Sequence, residues 1–323
     1  MLAALHHAAV ALRRAPSVVI CAHVRPDGDA IGSALGLTLA LRELGVPAIP
    51  TLADDRDAPS TYSWLPGFGL YVQAKDLEAP SVFVAVDTPN LERLGAARAL
   101  AESAGTLIVI DHHPDATEYG NVHVLNKRAA ATGELIWQLV EALEVRPTAD
   151  IALNCYVALL TDTGRFSYQN TTSDSLRDAA KMIDAGVEPS EVARRVYQTR
   201  TSASLALEAR AMSRLTCVND ALVAYTWVDD ADFEETGARP EEAEHLPEAI
   251  RVIDSIEVAL LLRQKGTEVR GNLRAKTTFD VGAVARRLGG GGHASAAGFT
   301  VFDSTVDQVL ATILPMLPGG ASA

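Results

Sequence analysis

The 323-residue chain is short of cysteine, of aromatic rings and of positive charge, and each shortage removes a class of protein. Its three cysteines, Cys21, Cys155 and Cys217, are odd in number, widely spaced and set in apolar stretches. That excludes a disulfide scaffold, and the expectation is three buried free thiols in a reducing cytoplasm. Lysine and arginine number 28 against 41 aspartates and glutamates, a formal net charge of −13. Proteins that coat long nucleic acid need an extended basic surface, which this balance argues against; a small anionic substrate stays open. No apolar run reaches the roughly 18 uncharged residues of a membrane span. The stretch from Met1 to Pro16 does not read as a secretory signal either, because His6 and His7 interrupt it and Arg13 and Arg14 lie at its far end.

What is present in quantity is apolar core material, 48% of the residues, in a length suited to two domains. The first half alternates short β-rich runs with longer helical patterns, which predicts an α/β domain with a mostly parallel sheet flanked by helices. Strands are expected at Ser17 to Ala22, Pro47 to Leu52, Val82 to Val86 and Thr106 to Ile110. Helices are expected at Ile31 to Leu44, Leu91 to Ser103, Ala130 to Leu143 and Ala149 to Leu160. The first domain is placed at 1–186, a charged helical connector at 187–215, and a smaller C-terminal α/β domain with a mixed sheet at 216–318. Within that second domain come a strand (Leu222 to Trp227), an acidic, solvated-looking segment (Asp229 to Glu248), a helix near Pro247 to Ser255, and a hairpin turning at Lys265-Gly266-Thr267. The tail from Pro318 to Ala323 is expected to fray.

Three of the expected strands run directly into His23, Asp87 and Asp111. In sheets of this kind ligands sit beyond the carboxyl ends of the strands, so polar residues that follow apolar runs converge on one edge. Following the first strand, His23-Val-Arg-Pro-Asp27-Gly-Asp29 puts one imidazole and two carboxylates on a tight loop turned by Pro26 and Gly28. Asp27 and Asp29 equally suit the capping of the next helix. Asp87, then Asp111-His112-His113, then Asp162 after another helix extend the series, and capping explains each alone better than it explains all of them together.

Taken in order, His23/Asp27/Asp29, Asp87, Asp111/His112/His113, Asp162 and the late run Gly289-Gly-Gly-Gly-His293 resemble the DHH phosphoesterase superfamily and its DHH-associated C-terminal domain. The resemblance implies one metal held by His23, Asp27 and Asp87 and a second held by Asp29, Asp87, His112 and Asp162, with Asp87 bridging. Carboxylates with a minority of imidazole suit two Mn²⁺ ions, with Mg²⁺ or Co²⁺ as substitutes, whereas a structural zinc site favours thiolates. Two such metals roughly 3.5 to 4 Å apart activate a water for in-line attack on phosphorus. Asp87 and His113 are then the catalytic pair: His113 takes the substrate phosphate or protonates the leaving group, and Asp111 orients an imidazole. Arg25 and Arg165 stand beside these motifs as either phosphate contacts or ordinary surface arginines.

In the second domain, strand alternation over Glu268 to Lys276 sets Arg270, Asn272, Arg274 and Lys276 on one face. From Arg263 to His293, seven basic residues oppose only Glu268 and Asp280. The family resemblance implies that Arg274 and the element Gly290, Gly291, Gly292 and His293 grip the nucleotide, glycine allowing backbone N–H groups close to a phosphate. A solvated basic face and a flexible linker are the plainer alternatives. The residues after His293, Ala294-Ser295-Ala296, are smaller than in many relatives, which touches base recognition rather than chemistry.

The compact length resembles the NrnA-type branch, whose members degrade short RNAs and dephosphorylate 3′-phosphoadenosine-5′-phosphate, while similar members cleave cyclic di-AMP or its linear product pApA. Short linear RNA or DNA oligonucleotides, pApA and small nucleotides are the expected substrates, and cyclic di-AMP is the alternative. A RecJ-type exonuclease, a family II pyrophosphatase and a non-catalytic nucleotide sensor rank below. No membrane partner is expected; a homodimer is consistent with similar proteins.

Overall fold

Val18, Val82 and Thr106 each begin an apolar run too short for a helix and too rich in β-branched residues to favour one, and all three become neighbouring strands. The structure, a computed structural model, describes residues 1–55 and 58–320. It forms two compact units, one ending at Gln198 and the other beginning at Thr199. The first contains α1 (Leu2–Arg13), β1 (Val18–Cys21), α2 (Gly28–Glu43), β2 (Ala48–Leu52), β3 (Val72–Gln73), β4 (Val82–Val86), α3 (Arg98–Glu102), β5 (Thr106–Asp111) and β6 (Val122–Leu125). It continues with α4 (Thr132–Ala142), α5 (Ala149–Asp162), α6 (Ser173–Asp184) and α7 (Pro189–Tyr197).

Its six strands lie in the order β3-β2-β1-β4-β5-β6, every pairing parallel. From β1 the chain moves outward to β2 and β3, then returns to β4 on the other flank of β1 and moves the opposite way. The point where strand order reverses therefore lies between the ends of β1 and β4, where a crevice opens in such sheets. Both faces are covered: Val18, Ile20, Val84, Ile108 and Ile110 pack against the larger helical layer, while Val19, Cys21, Phe83, Ala85 and Val109 pack with Leu94, Ala97 and Leu100.

Two helices of the larger layer meet almost backbone to backbone. Gly28, Gly32 and Gly36, one turn apart on α2, face α5: a methyl at Gly32 would stand 2.4 Å from the Asn154 carbonyl oxygen, and one at Gly28 2.5 Å from Thr161 Oγ1. Because Gly28 meets Thr161 and Gly36 meets Cys155, the helices run antiparallel, and the start of α2 lies against the end of α5.

The stretch expected as one helix over Leu91 to Ser103 is instead a 3₁₀ turn (Leu91–Ala97) followed by α3. The break is Gly95, at φ 47°, whose backbone presses on the Ala53 carbonyl while the Ala96 N–H bonds to it at 2.8 Å. The expected connector is divided between the units, since Val192 of α7 is buried in the first.

The second unit contains α8 (Ser202–Ser213), β7 (Thr216–Val218), β8 (Val223–Asp229), α9 (Asp230–Thr236), α10 (Leu246–Arg251), β9 (Val258–Lys265) and β10 (Glu268–Ala275). After these come α11 (Val281–Arg287), β11 (Gly291–Gly292), β12 (Ala296–Val301) and α12 (Val306–Ile313). The sheet order is β11-β12-β10-β9-β8-β7, with β8/β9 the parallel pair, so the sheet is mixed as expected.

Two expectations need correction. The acidic segment is not merely a solvated surface: Asp229 caps α9 in a capping box with Asp232, and Asp232 is fully buried, accepting hydrogen bonds from Arg214 and Arg210. Cys217 is exposed, because it points outward from the edge strand β7; Cys21 and Cys155 are buried. Of the tail, Ala321, Ser322 and Ala323 lie outside the described residues, while the Gly320 N–H bonds to the Leu317 carbonyl in a turn.

Candidate metal centre

Each donor in the first unit sits where a strand or helix ends beside the strand-order reversal. Asp87 follows β4 at φ 53°, a left-handed conformation that aspartate tolerates better than most residues, with its N–H bonded to the Ile110 carbonyl at 2.9 Å. His23 follows β1 by one residue and His112 follows β5 directly. Asp29 lies in the first turn of α2 and Asp162 is the last residue of α5, so the glycine-mediated contact of those helices brings the two carboxylates to one end.

The side chains converge. His23 Nε2 lies 3.4 Å from Asp87 Oδ2. His112 Nε2 lies 3.6 Å from Asp29 Oδ2, 3.7 Å from Asp87 Oδ1 and 3.6 Å from Asp162 Oδ2. His23, Asp27 and Asp87 form one close group of potential ligand atoms, and Asp29, Asp87 and His112 another, so Asp87 belongs to both. These gaps exceed hydrogen-bond length. Two donors each about 2.1 Å from one cation stand about 3.0 to 3.4 Å apart, so a contraction of a few tenths of an ångström would close either group on an ion. The residues present therefore fit divalent cations.

The other polar atoms of the donors are already committed, which fixes their orientation. His23 Nδ1 faces the Val24 carbonyl at 2.8 Å and His112 Nδ1 the Ala129 carbonyl at 3.2 Å, leaving each Nε2 toward the cluster. Asp27 caps α2 through Oδ1 alone, accepting from the N–H groups of Asp29 and Ala30, both at 3.1 Å. Capping and ligation are thus compatible. Asp29 accepts the Thr132 N–H at 2.7 Å, the Gly133 N–H at 2.8 Å and the Ser33 hydroxyl at 3.0 Å. A carboxylate seated on the N-terminus of α4 is favoured by the helix dipole. The Thr132 hydroxyl donates to Asp87 Oδ1 at 2.9 Å, and Asn170 Nδ2 donates to Asp162 Oδ2 at 3.3 Å.

Thr132, Gly133, Ser33 and Asn170 were not singled out from the sequence as site residues. The only signal was Thr132-Gly133 opening a helix without a capping side chain, which leaves its N–H groups for another acceptor.

Electrostatics agree with the need for cations. Burial, then the fields of Asp87 and Asp162, hold the Asp29 carboxyl well above its ordinary range. Burial, opposed by His112 and reinforced by Asp27 and Asp87, raises Asp162 to about 6. For Asp87 burial is outweighed by His23 and His113, and its carboxyl is lowered. Burial disfavours the charged form of His23 and His113, yet the Asp87 carboxylate beside it raises the first, and the hydrogen bond to Asp111 with the field of Asp87 raises the second to about 9. His113 Nδ1 and its backbone N–H both donate to Asp111 Oδ1 at 2.7 Å, so Asp111 orients His113.

In the second unit, Val269, Gly271, Leu273 and Ala275 are buried and Arg270, Asn272 and Arg274 half-buried, the alternation expected of β10. The basic stripe is not wholly unengaged, however. Arg274 Nε donates to Glu248 Oε1 at 3.0 Å, Glu248 also takes Arg251 at 2.8 Å, and Lys276 reaches the Ile253 carbonyl at 2.8 Å. Gly291 and Gly292 pair antiparallel with β12, and His293 and Ala296 close the hairpin by mutual backbone bonds of 2.8 and 3.3 Å. This is no flexible linker. A methyl at Gly290 would stand 2.1 Å from the Gly298 carbonyl, and Gly292 adopts φ 130°, so both positions require glycine for strand packing alone; Gly291 has open space.

Comparisons with known proteins bear on the same residues. The family model described as DHH family, N-terminal domain, matches residues 17–161, and the DHHA1 domain matches 220–316. A Thermus thermophilus protein named bifunctional oligoribonuclease and PAP phosphatase NrnA is 32% identical over 92% of this chain and 88% of its own length. A Bacillus subtilis protein of the same name is 28% identical over 92% of this chain and 93% of its own. The crystal structure of an exopolyphosphatase-related protein from Bacteroides fragilis superposes with a TM-score of 0.88 at 23% identity, covering 96% of this chain and 94% of that one, which shows the shared fold.

Proposed function

The chain is a phosphoesterase of the DHH family with a DHHA1 domain, and on that premise we propose that it hydrolyses short oligonucleotides and 3′-phosphoadenosine-5′-phosphate, using two Mn²⁺ ions. The observation that carries the reading is the largely buried Asp87 carboxylate, shared between two converging groups of donors and standing 3.4 Å from His23 and 3.7 Å from His112. His23, Asp27 and Asp87 would hold one cation, and Asp29, Asp87, His112 and Asp162 the other, with Mg²⁺ or Co²⁺ as substitutes. Bound there, the cations offset the carboxylates, admit an anionic phosphate and acidify water to a nucleophile at neutral pH.

The protein's own residues do the rest. The α4 N-terminus and Thr132 hold Asp29 and Asp87 in place, so the donors need no reorganisation as substrate arrives. His113, its Nδ1 committed to Asp111, is oriented to present an Nε2 proton to a phosphate oxygen or the leaving group. In the second unit Arg274, Gly290, Gly291, Gly292 and His293 form the substrate-binding element, Arg274 exchanging Glu248 for a phosphate. The buried thiols of Cys21 and Cys155 accord with a reducing cytoplasm.

The test is a comparison of kcat/KM for pApA, 3′-phosphoadenosine-5′-phosphate, cyclic di-AMP and a long single strand, in chelator and after Mn²⁺ reloading. The short linear substrates should lead, with activity only in the reloaded protein. Full turnover in chelator, or preference for the long strand, would sink the proposal.

A further inference from the structure

We propose that Arg93 positions the substrate: its guanidinium receives a phosphoryl oxygen on the His23 and Asp27 side of the cluster. This deepens the phosphoesterase reading above and rests on it.

The root of this side chain is fixed. Arg93 lies in the 3₁₀ turn that follows β4 and Asp87, where its N–H is accepted by Asn90 Oδ1 at 3.2 Å. Its carbonyl accepts the Val24 N–H at 2.9 Å, tying the turn to the residue beside His23. Two residues on, Gly95 abuts the Ala53 carbonyl, which also receives the Ala96 N–H. The turn therefore cannot drift relative to the loop that carries His23 and Asp27.

The head of the side chain is unmatched among the described residues. Among the described residues the Arg93 guanidinium makes no hydrogen bond and no ion pair, and its Nε is shielded from solvent without an acceptor. Its charge is nonetheless felt by Asp87, Asp27 and Asp111, none of which comes within ion-pair reach. By contrast Arg98, five residues on at the start of α3, rests at the surface on Glu102 at 2.9 Å. A half-buried guanidinium lacking an acceptor is uncommon, because burying an unused donor is costly. The carboxylates nearby are engaged elsewhere: Asp27 Oδ1 caps α2, Asp111 Oδ1 takes His113, and Asp87 lies against Thr132 and His23. What fits between is a negatively charged group that accepts a forked pair of hydrogen bonds, and a phosphoryl group with unesterified oxygens does so. Phosphate mono- and diesters have such oxygens; a neutral triester lacks the charge.

The experiment uses Mn²⁺-loaded Arg93→Gln and Arg93→Lys, with Arg98→Gln as a surface control. It measures KM and kcat for pApA, the affinity for inorganic phosphate, and Mn²⁺ affinity without substrate. Arg93→Gln should raise KM and weaken phosphate binding about tenfold or more, Arg93→Lys should recover part of the loss, and Arg98→Gln should match the parent. Mn²⁺ should bind Arg93→Gln as tightly as the parent or more so, because a positive charge has left its vicinity. Unchanged phosphate affinity in Arg93→Gln overturns the inference, as does weakened Mn²⁺ binding at constant KM, which would mark a structural role. If Arg93→Gln does not fold, Arg93→Lys decides: lysine keeps the charge and loses the fork, and a parental KM refutes the assignment. Should the parent hydrolyse no nucleotide, the proposed function fails while the phosphate-binding comparison still decides the role of Arg93.

Discussion

Thr132 holds two carboxylates from one position, its N–H on Asp29 and its hydroxyl on Asp87. Thr132→Val keeps the first bond and the shape while removing the second, so the fold should survive and Asp87 should lose its fixed rotamer. We expect Mn²⁺ affinity to fall about 10- to 100-fold, the usual cost of removing a group that orients a ligand, with little change in circular dichroism; unchanged affinity by titration calorimetry would count against that role. Arg274 calls for the opposite readout. Arg274→Ala should raise KM for short nucleotides several-fold, on the order of the loss of one charge-assisted hydrogen bond, and leave metal content intact. An unaltered KM would remove Arg274 from the site and leave its pairing with Glu248 as its whole role.

Among elements, the contact between α2 and α5 positions the centre most directly, because it brings Asp29 at the start of one helix to Asp162 at the end of the other. Its narrowest point is Gly32, where an added methyl would stand 2.4 Å from a backbone oxygen that cannot rotate away. Gly32→Ala should therefore destabilise the protein by about 1 to 3 kcal/mol, as overpacking does, and weaken Mn²⁺ binding by separating the helix ends. The control is Gly69→Ala, where an added methyl meets nothing within 4 Å and the backbone is not left-handed; equal metal affinity in Gly32→Ala and the parent would refute the coupling. The α2 helix was legible in the sequence, but its partner was not. Apolar periodicity identifies a buried face without saying which helix covers it, and α2 is buried on nearly all sides.

For the whole molecule, the metal-free centre behaves as a proton sink. His23 and His113 are raised, so their contribution to stability is complete below the unfolded histidine value and lost as pH rises, for His113 through about 9. Asp29 and Asp162 are raised as well, so the folded state gains as they protonate, for Asp162 as pH falls through about 6, and is strained above it. Asp87, which is lowered, acts oppositely, but only in acid below the ordinary carboxylate range. The melting temperature in chelator should accordingly fall from pH 6 to pH 9, and Mn²⁺ should raise it and flatten the slope by taking the place of protons. A pH profile identical with and without Mn²⁺ would show that no cation replaces them.

Much of this was written locally in the chain. Apolar runs that end in His23, Asp87 and Asp111 reveal both the parallel sheet and the donors at its edge, because strand period and side-chain chemistry are properties of neighbouring residues. What the tertiary structure alone decided is which groups hold those donors: Thr132 lies 103 positions from the Asp29 it orients, Arg93 faces carboxylates from three other segments, and Glu248 occupies the arginine that stood out in the basic stripe. The reason is physical. A carboxylate's capacity to bind a cation is intrinsic to the residue, whereas its orientation is set by whichever distant N–H, hydroxyl or guanidinium the packed helices and sheet bring within reach.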